Sequence, residues 1–365
     1  MQFNLSLGLF SSFDIDSGTK LLLKTIAQQE FLKGSESVLD AGCGVGTIAI
    51  SLKKRFPTLS VTASDRDALA LKFTQDNIKL NGFNSEDIKT ASGLLPGSLQ
   101  MPIEGLPARY DSIISNIPAK AGNPVIEDFI KNCGLHLNEE GKAAIVIVEP
   151  LADFAKECLN ESGAQIIYTE ADKNYSVFHF IPEKQTETKS FSEVYERTND
   201  MVSGFYGLPE FDSISYATKI TLEMISKFQN GRKTIIWNPG IGHIPLKCSN
   251  KKNLVLASSD LLQLKATNYN VGLENRSLHL SKFTELEKNE LSEIDYIIAS
   301  PDFITGAEVE KDIIETSKKL LRTGGKLIVT GKSSDISRVE KRKDNFIIKQ
   351  SIKFRGFRSL FLEKQ

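Results

Sequence analysis

The strongest chemical signal in the sequence is a glycine-rich turn that follows an aspartate. Gly42, Gly44 and Gly46 come after an apolar run that ends at Asp40, and an apolar helical pattern begins near Thr47. Glycine lets the chain turn sharply and lets a ligand approach the backbone closely. Dinucleotide-binding turns read GxGxxG and hold a pyrophosphate, whereas this turn reads GxGxG and its aspartate would repel one. The aspartate suits a ligand with an ammonium group and no phosphate, so we expect S-adenosylmethionine here; a turn that serves packing alone is the alternative.

A second carboxylate, Asp65, directly follows the strand-like run SVTAS. A carboxylate at the tip of a strand has two oxygens that can accept both hydroxyls of a bound ribose. Asp67 is the alternative, but it could equally cap the helix that follows. We favour Asp65 because it comes directly after the strand, and Ser92 completes the expected cofactor-binding set.

A third signal is the turn SNIPAK, which follows the strand-like run YDSII. In an open α/β sheet the carboxyl ends of the strands line the ligand crevice. Asn116, Ile117 and Pro118 can there direct a side-chain carbonyl and a rigid main-chain carbonyl at a substrate amine. Such acceptors would hold an exocyclic amino nitrogen in line with the sulfonium methyl group and favour its developing positive charge. An ordinary turn built by asparagine and proline is the alternative.

The elements that position these residues occur twice along the chain. Strand-like runs alternate with amphipathic helical stretches, which is typical of a mostly parallel sheet covered by helices. LGLFSSFDIDSGTKL aligns without a gap with YGLPEFDSISYATKI, DAGCGVG is followed later by NPGIGHI, and YDSIISN by IDYIIAS. Landmarks repeated in one order indicate an internal duplication. We therefore predict an α/β protein of two tandem Rossmann-like domains, each a mostly parallel sheet flanked by helices.

The predicted domains are residues 1–182 and 191–365, joined by a polar linker at residues 183–190. The second copy has lost parts of the site, so we predict that it is non-catalytic and serves stability or substrate docking. Asp260 is expected to keep the ribose-type acid, but only as a surface remnant, because its partners are gone. The predicted replacements are Asp40 by Asn238, Gly46 by Ile244, Asn116 by Ser300 and Pro118 by Asp302.

These motifs resemble the methyltransferase small domain superfamily of class I S-adenosylmethionine-dependent methyltransferases. Within it, the chain is similar to the two-domain ribosomal RNA guanine-N2 methyltransferases, over nearly its whole length. The upstream family pattern falls on Phe10, Ser11, Asp16, Gly18 and Thr19. The resemblance implies that Thr19 and its neighbours pack beside the methionine end of the cofactor, and that RNA is the substrate.

Two features depart from the family pattern. The amine-methylating motif of the family is Asn-Pro-Pro-aromatic, whereas Ala119 stands here where an aromatic ring would stack on a base. Family members of this architecture also carry the working site in the C-terminal copy, whereas here it lies in the N-terminal one.

Composition sets further limits on the function. The formal net charge of −1 gives no overall cationic field, which argues against a nucleic-acid coat protein. The four cysteines form no CxxC pair and the four histidines have no ligand spacing, so we expect reduced thiols and no metal site. Neither a secretory signal nor a membrane-spanning apolar run is evident. We expect a cytoplasmic monomer.

The sequence therefore predicts methyl transfer from S-adenosylmethionine to a nitrogen of structured RNA, a guanine exocyclic amine in ribosomal RNA being favoured. A methyltransferase of a small molecule or a protein is the first alternative. A protein that binds S-adenosylmethionine without turnover is the second.

Overall fold

The computed structural model describes residues 1–9, 14–93, 95, 109–183, 202–211, 213–226, 233–248, 253–272, 276–304 and 306–365. The chain divides into two compact units, Met1–Tyr195 and Glu196–Gln365. Of the predicted linker, residues 184–190 lie outside the described residues, so its bounds stay a prediction. In the described part of the chain, no helix is long and apolar enough to cross a membrane.

The first unit is a seven-stranded sheet with helices on both faces. Its elements, in chain order, are α1 (Ser17–Gln28), β1 (Ser37–Ala41), α2 (Thr47–Arg55), β2 (Ser60–Asp65), α3 (Ala68–Leu80), β3 (Ile88–Ser92), β4 (Tyr110–Asn116), α4 (Asn123–Asn132), β5 (Leu137–Val148), α5 (Ala152–Glu161), β6 (Gln165–Ala171) and β7 (Tyr175–Ile181). The strand order is β3-β2-β1-β4-β5-β7-β6. The first five strands are parallel, and β7 is antiparallel to both β5 and β6.

The second unit repeats this architecture. Its elements are α6 (Tyr216–Ser226), β8 (Thr234–Trp237), α7 (His243–Lys247), β9 (Leu254–Ser258), α8 (Leu261–Val271), β10 (Arg276–His279), β11 (Ile294–Ala299), α9 (Val309–Leu320), β12 (Leu321–Lys332), α10 (Ser333–Lys341), β13 (Phe346–Phe354) and β14 (Phe357–Lys364). The strand order β10-β9-β8-β11-β12-β14-β13 is that of the first unit. The predicted fold class, two tandem Rossmann-like domains from a duplication, is confirmed.

Successive residues of the central strands face opposite helix layers. In the first unit Ile113 packs with buried residues of α4 and α5, whereas Ile114 packs with those of α1, α2 and α3. In the second unit Ile297 packs against α9 and α10, and Ile298 packs with residues of α6, α7 and α8. Burial on both faces explains why these strands read as continuous apolar runs rather than as alternating ones.

Strand pairing corrects the alignment of the two copies. Asp40 lies beside Ile114 of β4, and Ile236 lies beside Ile298 of β11. Ile114 and Ile298 occupy the same place in the repeated landmarks YDSIISN and IDYIIAS, so they are equivalent. Ile236 therefore takes the place of Asp40, and the prediction that Asn238 does so is wrong.

The glycine turn of the second copy shifts with its strand. Gly242 precedes α7 with a φ of 115°, as Gly46 precedes α2 with a φ of 84°. Asn238, with a φ of 54°, stands at the place of Gly42, whose φ is 77°. Gly242 therefore takes the place of Gly46, and the prediction that Ile244 does so is wrong; the Ile244 side chain is buried in the core. A GxG repeat matches itself after a shift of two residues, which is why the sequence allowed the other alignment.

The ribose-type acid is likewise absent from the second copy. The Asp260 side chain accepts a backbone N–H in the first turn of α8 and so caps that helix. The Asp67 side chain caps α3 in the same way. Ser258 ends β9 where Asp65 ends β2. The prediction that Asp260 keeps the ribose-type acid is therefore wrong, because Asp260 corresponds to the capping aspartate.

One asparagine in each unit, buried in the first and partly buried in the second, ties the incoming chain to the glycine turn. The Asn77 side chain accepts the Asn4 N–H at 2.7 Å and donates to the Asn4 and Val45 carbonyls at 3.1 and 2.9 Å. Asn270 makes the same three bonds, to both backbone groups of Ser203 and to the Ile241 carbonyl. The asparagine thus anchors the glycine turn to helix α3 in the first unit and to helix α8 in the second.

We expect Asn77→Ala to lower the free energy of unfolding by about 2–4 kcal/mol, because buried backbone groups lose their partners. Gln75→Ala, an exposed change on the same helix, should alter it by less than about 0.5 kcal/mol. Urea unfolding followed by circular dichroism measures both. Equal losses in the two variants would contradict this role of Asn77.

Candidate active site

The turn after β1 requires glycine for its backbone conformation. Gly42, Gly44 and Gly46 have φ angles of 77°, 57° and 84°, a region that L side chains rarely adopt. A Cβ on Gly46 would lie 3.0 Å from the Thr74 side chain, so this glycine also permits close helix packing. A Cβ on Gly44 would meet nothing within 4 Å among the described residues. The turn therefore leaves an open side at Gly44 where a ligand can approach the backbone.

Asp40 is a fully buried carboxylate below this turn. Its Oδ2 accepts the Ala49 N–H at 2.9 Å, whereas Oδ1 has no hydrogen-bond partner among the described residues. Burial raises the pKa of Asp40 to about 7; the hydrogen bond from Ala49 opposes the rise and the charge of Asp65 adds to it. A buried carboxylate with one unpartnered oxygen gains from a nearby positive charge.

Asp65 lies beside the glycine turn and Asp67 does not share its role. Asp65 Oδ2 accepts the Gly44 N–H at 2.9 Å, and its Oδ1 accepts the Asp67 N–H at 2.9 Å. Asp67 caps α3 by accepting the Leu69 N–H at 2.8 Å. The carboxylate of Asp65 thus stands at the carboxyl end of β2, and Ser92, exposed at the end of β3, is its register partner.

The Asn116 amide is oriented by two acceptors. Its Nδ2 donates to Asp16 Oδ2 and to Thr19 Oγ1, both at 2.9 Å. A carboxylate only accepts hydrogen bonds, so Asp16 fixes the nitrogen of the amide on its own side. The Oδ1 of Asn116 has no donor among the described residues and is the atom left to accept one from a ligand.

Tyr175 is a further member of the site that the sequence analysis missed. Its hydroxyl donates to Asp16 Oδ1 at 2.7 Å, and this bond to the carboxylate raises the pKa of Tyr175. The ring lies so close to Gly18 that a Cβ there would be 2.6 Å from it. No spacing along the chain links Tyr175 to Asp16, because β7 reaches the site only through the sheet.

The remaining predicted residues lie at the end of β4. The Ile117 side chain is buried in the core, so only its main chain can face a ligand. The Pro118 carbonyl accepts the Ala121 N–H at 2.9 Å, which leaves the Ile117 carbonyl as the main-chain acceptor of this turn. Thr19 is buried at the start of α1 beside Asn116. Phe10 and Ser11 lie outside the described residues.

Comparison with known proteins agrees with this architecture. A family model described as "Methyltransferase small domain" matches residues 1–179. The matched residues all lie in the first unit. The chain is 34% identical over 142 residues to the ribosomal RNA small subunit methyltransferase C of Actinobacillus pleuropneumoniae serotype 3, a match that covers 38% of this chain and 40% of the relative. The corresponding protein of Shewanella halifaxensis is 35% identical over 143 residues, which is 38% of each chain. The match thus spans less than half of these relatives.

One solved structure resembles both units. The 16S rRNA N2 G1207 methyltransferase of T. thermophilus, solved with AdoMet and guanosine, aligns with a TM-score of 0.69 and 18% identity. The alignment covers 100% of this chain and 95% of that one. At this identity the likeness establishes the shared two-unit fold.

The second unit has side chains where the first unit has its open turn. Asn238 accepts the Ser258 hydroxyl at 2.8 Å and donates to the Ser300 carbonyl at 3.0 Å. Its amide also donates to Asp302, and burial raises the pKa of that carboxyl. The groups at the strand ends of this unit therefore bind one another rather than facing an open turn.

The raised pKa of Asp40 predicts a pH-dependent stability. The pKa of about 7 in the folded protein lies above the ordinary aspartate value of 3.8, so the free energy of unfolding falls as pH rises between the two values. We expect the parent to lose about 2–3 kcal/mol of unfolding free energy, relative to Asp40→Asn, between pH 5 and pH 8.

Urea unfolding of the ligand-free protein at both pH values measures this difference. Asp76→Asn, an exposed change on α3, serves as the control and should leave the pH dependence unaltered. A pH dependence shared by the parent and Asp40→Asn would show that another group is responsible.

Proposed function

We propose that this protein is a methyltransferase that moves a methyl group from S-adenosylmethionine to a nitrogen of RNA, a guanine exocyclic amine of ribosomal RNA. The observation that carries the proposal is the pairing of an open glycine turn with an Asn116 amide whose oxygen is left to accept. Catalysis is assigned to residues 1–182, residues 183–190 act as the linker, and residues 191–365 are a non-catalytic copy. The protein acts as a monomer in the cytoplasm.

The residues of the first unit fit S-adenosylmethionine. Gly42, Gly44 and Gly46 give the ligand access to the backbone, and Gly44 offers the open side. Asp40 supplies negative charge near the ammonium group of the methionine end, which suits its buried, unpartnered oxygen. Asp65 accepts the ribose hydroxyls, with Ser92 beside it at the end of β3. Thr19 packs beside the methionine end.

The acceptor amine is held by the turn after β4. Asn116 Oδ1 and the Ile117 carbonyl accept its two hydrogens, while Pro118 keeps the turn rigid. Two acceptors direct the nitrogen lone pair at the methyl carbon, and they favour the positive charge that develops on nitrogen. As the new C–N bond forms, the C–S bond breaks and sulfur keeps the electron pair; the nitrogen then releases a proton to solvent. The cofactor supplies the electrophilic methyl group.

The choice of RNA rests on the relatives. The matched proteins are named as ribosomal RNA methyltransferases, and the T. thermophilus enzyme was solved with guanosine. Ala119 leaves the acceptor without the stacking ring of the family motif, so a base must be stacked by other groups. Mass spectrometry of RNA nucleosides from cells with and without the gene tests the acceptor, and unchanged RNA with a methylated small molecule or protein would contradict the RNA assignment.

We expect one S-adenosylmethionine to bind per chain, because one glycine turn is open and its counterpart is closed by Asn238. Gly44→Ala and Gly240→Ala place the same methyl group on matched positive-φ residues, so each should cost about 1–2 kcal/mol of stability. Only Gly44→Ala should weaken the cofactor, by at least about tenfold, since its open side faces the ligand. Isothermal titration calorimetry measures the stoichiometry and the affinity of cofactor binding. Two equivalent sites per chain, or equal losses of cofactor affinity in the two variants, would contradict the assignment.

Removal of the Asn116 side chain should separate catalysis from cofactor binding. Asn116→Ala should bind S-adenosylmethionine nearly as the parent does, while single-turnover methyl transfer falls by a factor on the order of 10²–10³. Ser300→Ala, at the matching place in the second copy, should change neither quantity. Transfer by Asn116→Ala at the parent rate would mean that this turn does not hold the acceptor.

A further inference from the structure

The second unit presents two exposed aromatic rings surrounded by cations. Tyr216, the first residue of α6, and Phe354, the last residue of β13, are 44% and 47% exposed. Their ring centroids are 5.3 Å apart at an interplanar angle of 77°. We call these two rings, with Lys219, Lys353 and Arg355, the aromatic–cation cluster. Its rings pack on each other at the surface and remain half open to solvent.

The cations of the cluster keep their charge available. Lys219 Nζ lies 5.7 Å from the Tyr216 centroid, and the Arg355 guanidinium lies 6.0 Å from the Phe354 centroid. Lys353 and Arg355 are exposed, and among the described residues none of the three cations forms a salt bridge. Lys353 interacts electrostatically with Glu340, a carboxylate that already forms a salt bridge with Arg358. The cluster is therefore a net positive surface.

The first unit provides an internal reference for this surface. Its matching hairpin, between β6 and β7, has Ala171 and Asp172 at the places of Lys353 and Phe354, and the turn residue Lys173 at the place of Arg355. Ser17 starts α1 where Tyr216 starts α6. Both copies share one sheet order, yet the matching edge of the first copy has one acid and one cation and has neither the Tyr216 ring nor the Phe354 ring.

The cluster lies at the edge of the sheet where ligands of this fold bind. Phe357, next to the hairpin turn, pairs with Lys332 at the carboxyl end of β12. The start of α6 reaches the same edge, because its helix precedes β8 as α1 precedes β1. In open α/β sheets this edge is the ligand-binding one.

We propose that the aromatic–cation cluster binds an unpaired segment of the RNA substrate; this inference rests on the proposed function. The cations attract phosphates, and the exposed faces of Tyr216 and Phe354 stack on bases that are not paired. A duplex would hide its bases from the rings, and an acidic peptide would use the cations and leave the rings in water.

Binding of deproteinised small-subunit ribosomal RNA and of a labelled single-stranded oligoribonucleotide tests the cluster. We expect Lys353→Gln/Arg355→Gln to weaken both at least about tenfold at low salt, and to reduce the slope of log affinity against log salt by about 1.4, the value for two phosphate contacts on a single strand. Phe354→Ser and Tyr216→Ser should each weaken the single strand by roughly 5-fold to 100-fold, with little effect on a blunt duplex.

Lys54→Gln/Arg55→Gln is the matched control, with the same change of charge at the exposed C-terminal end of α2. It should bind both RNAs as the parent does. Thermal unfolding of each variant verifies that the fold is kept, and calorimetry with S-adenosylmethionine should give the parent affinity throughout.

The outcomes separate docking from methyl transfer. Parent-like RNA affinity in the cluster variants, equal losses in the control, or equally tight binding of polyglutamate by the cluster would overturn the docking surface. Methyl transfer at saturating RNA is read in the same samples, and we expect the cluster variants to retain the parent rate there. Failure of the parent itself to methylate RNA that it binds through the cluster would overturn the proposed function alone.

Discussion

The backbone of the turn after β1 is the constraint on which the rest of the first unit depends. Its three glycines adopt φ angles that side chains avoid, and they carry the chain from a buried strand straight into a buried helix. Neighbouring elements then attach to this turn: Thr74 donates to the Gly44 carbonyl, Asn77 to the Val45 carbonyl, and Asp65 accepts the Gly44 N–H. A different backbone conformation in this turn would move the Asp65 carboxylate and the helices α2 and α3 together.

The Asp16 carboxylate is the second point of convergence. It caps α1, accepts the Tyr175 hydroxyl from β7 and accepts the Asn116 amide from β4. Three segments that are distant in sequence thus fix the direction of one amide group. Positioning of this kind lowers the reorganisation needed when charge develops on a substrate nitrogen.

Duplication separates what the fold needs from what the chemistry needs. Both copies keep the asparagine behind the turn, the aspartate that caps the third helix and the glycine that starts the second. The positions that we propose face the cofactor differ: Ile236, Asn238 and Ser258 replace Asp40, Gly42 and Asp65. The retained residues bind backbone groups or adopt the left-handed conformation that starts a helix. Of the replaced ones, Asp40 and Asp65 also accept backbone N–H groups, and in addition they carry negative charge at the turn, which Ile236 and Ser258 lack.

The sequence by itself determined the strands, the duplication, the sheet class and the glycine turn, because these depend on local periodicity and on backbone angles that glycine permits. It also placed Asp65 and Asn116 at strand ends, since a strand's end is visible in its apolar pattern. Only the tertiary structure decided the register between the copies, because a GxG repeat matches itself after a shift of two residues. Likewise, Tyr175 joins Asp16, and Tyr216 joins Phe354, through strand order and helix packing. Such contacts depend on distances in space that spacing along the chain does not encode.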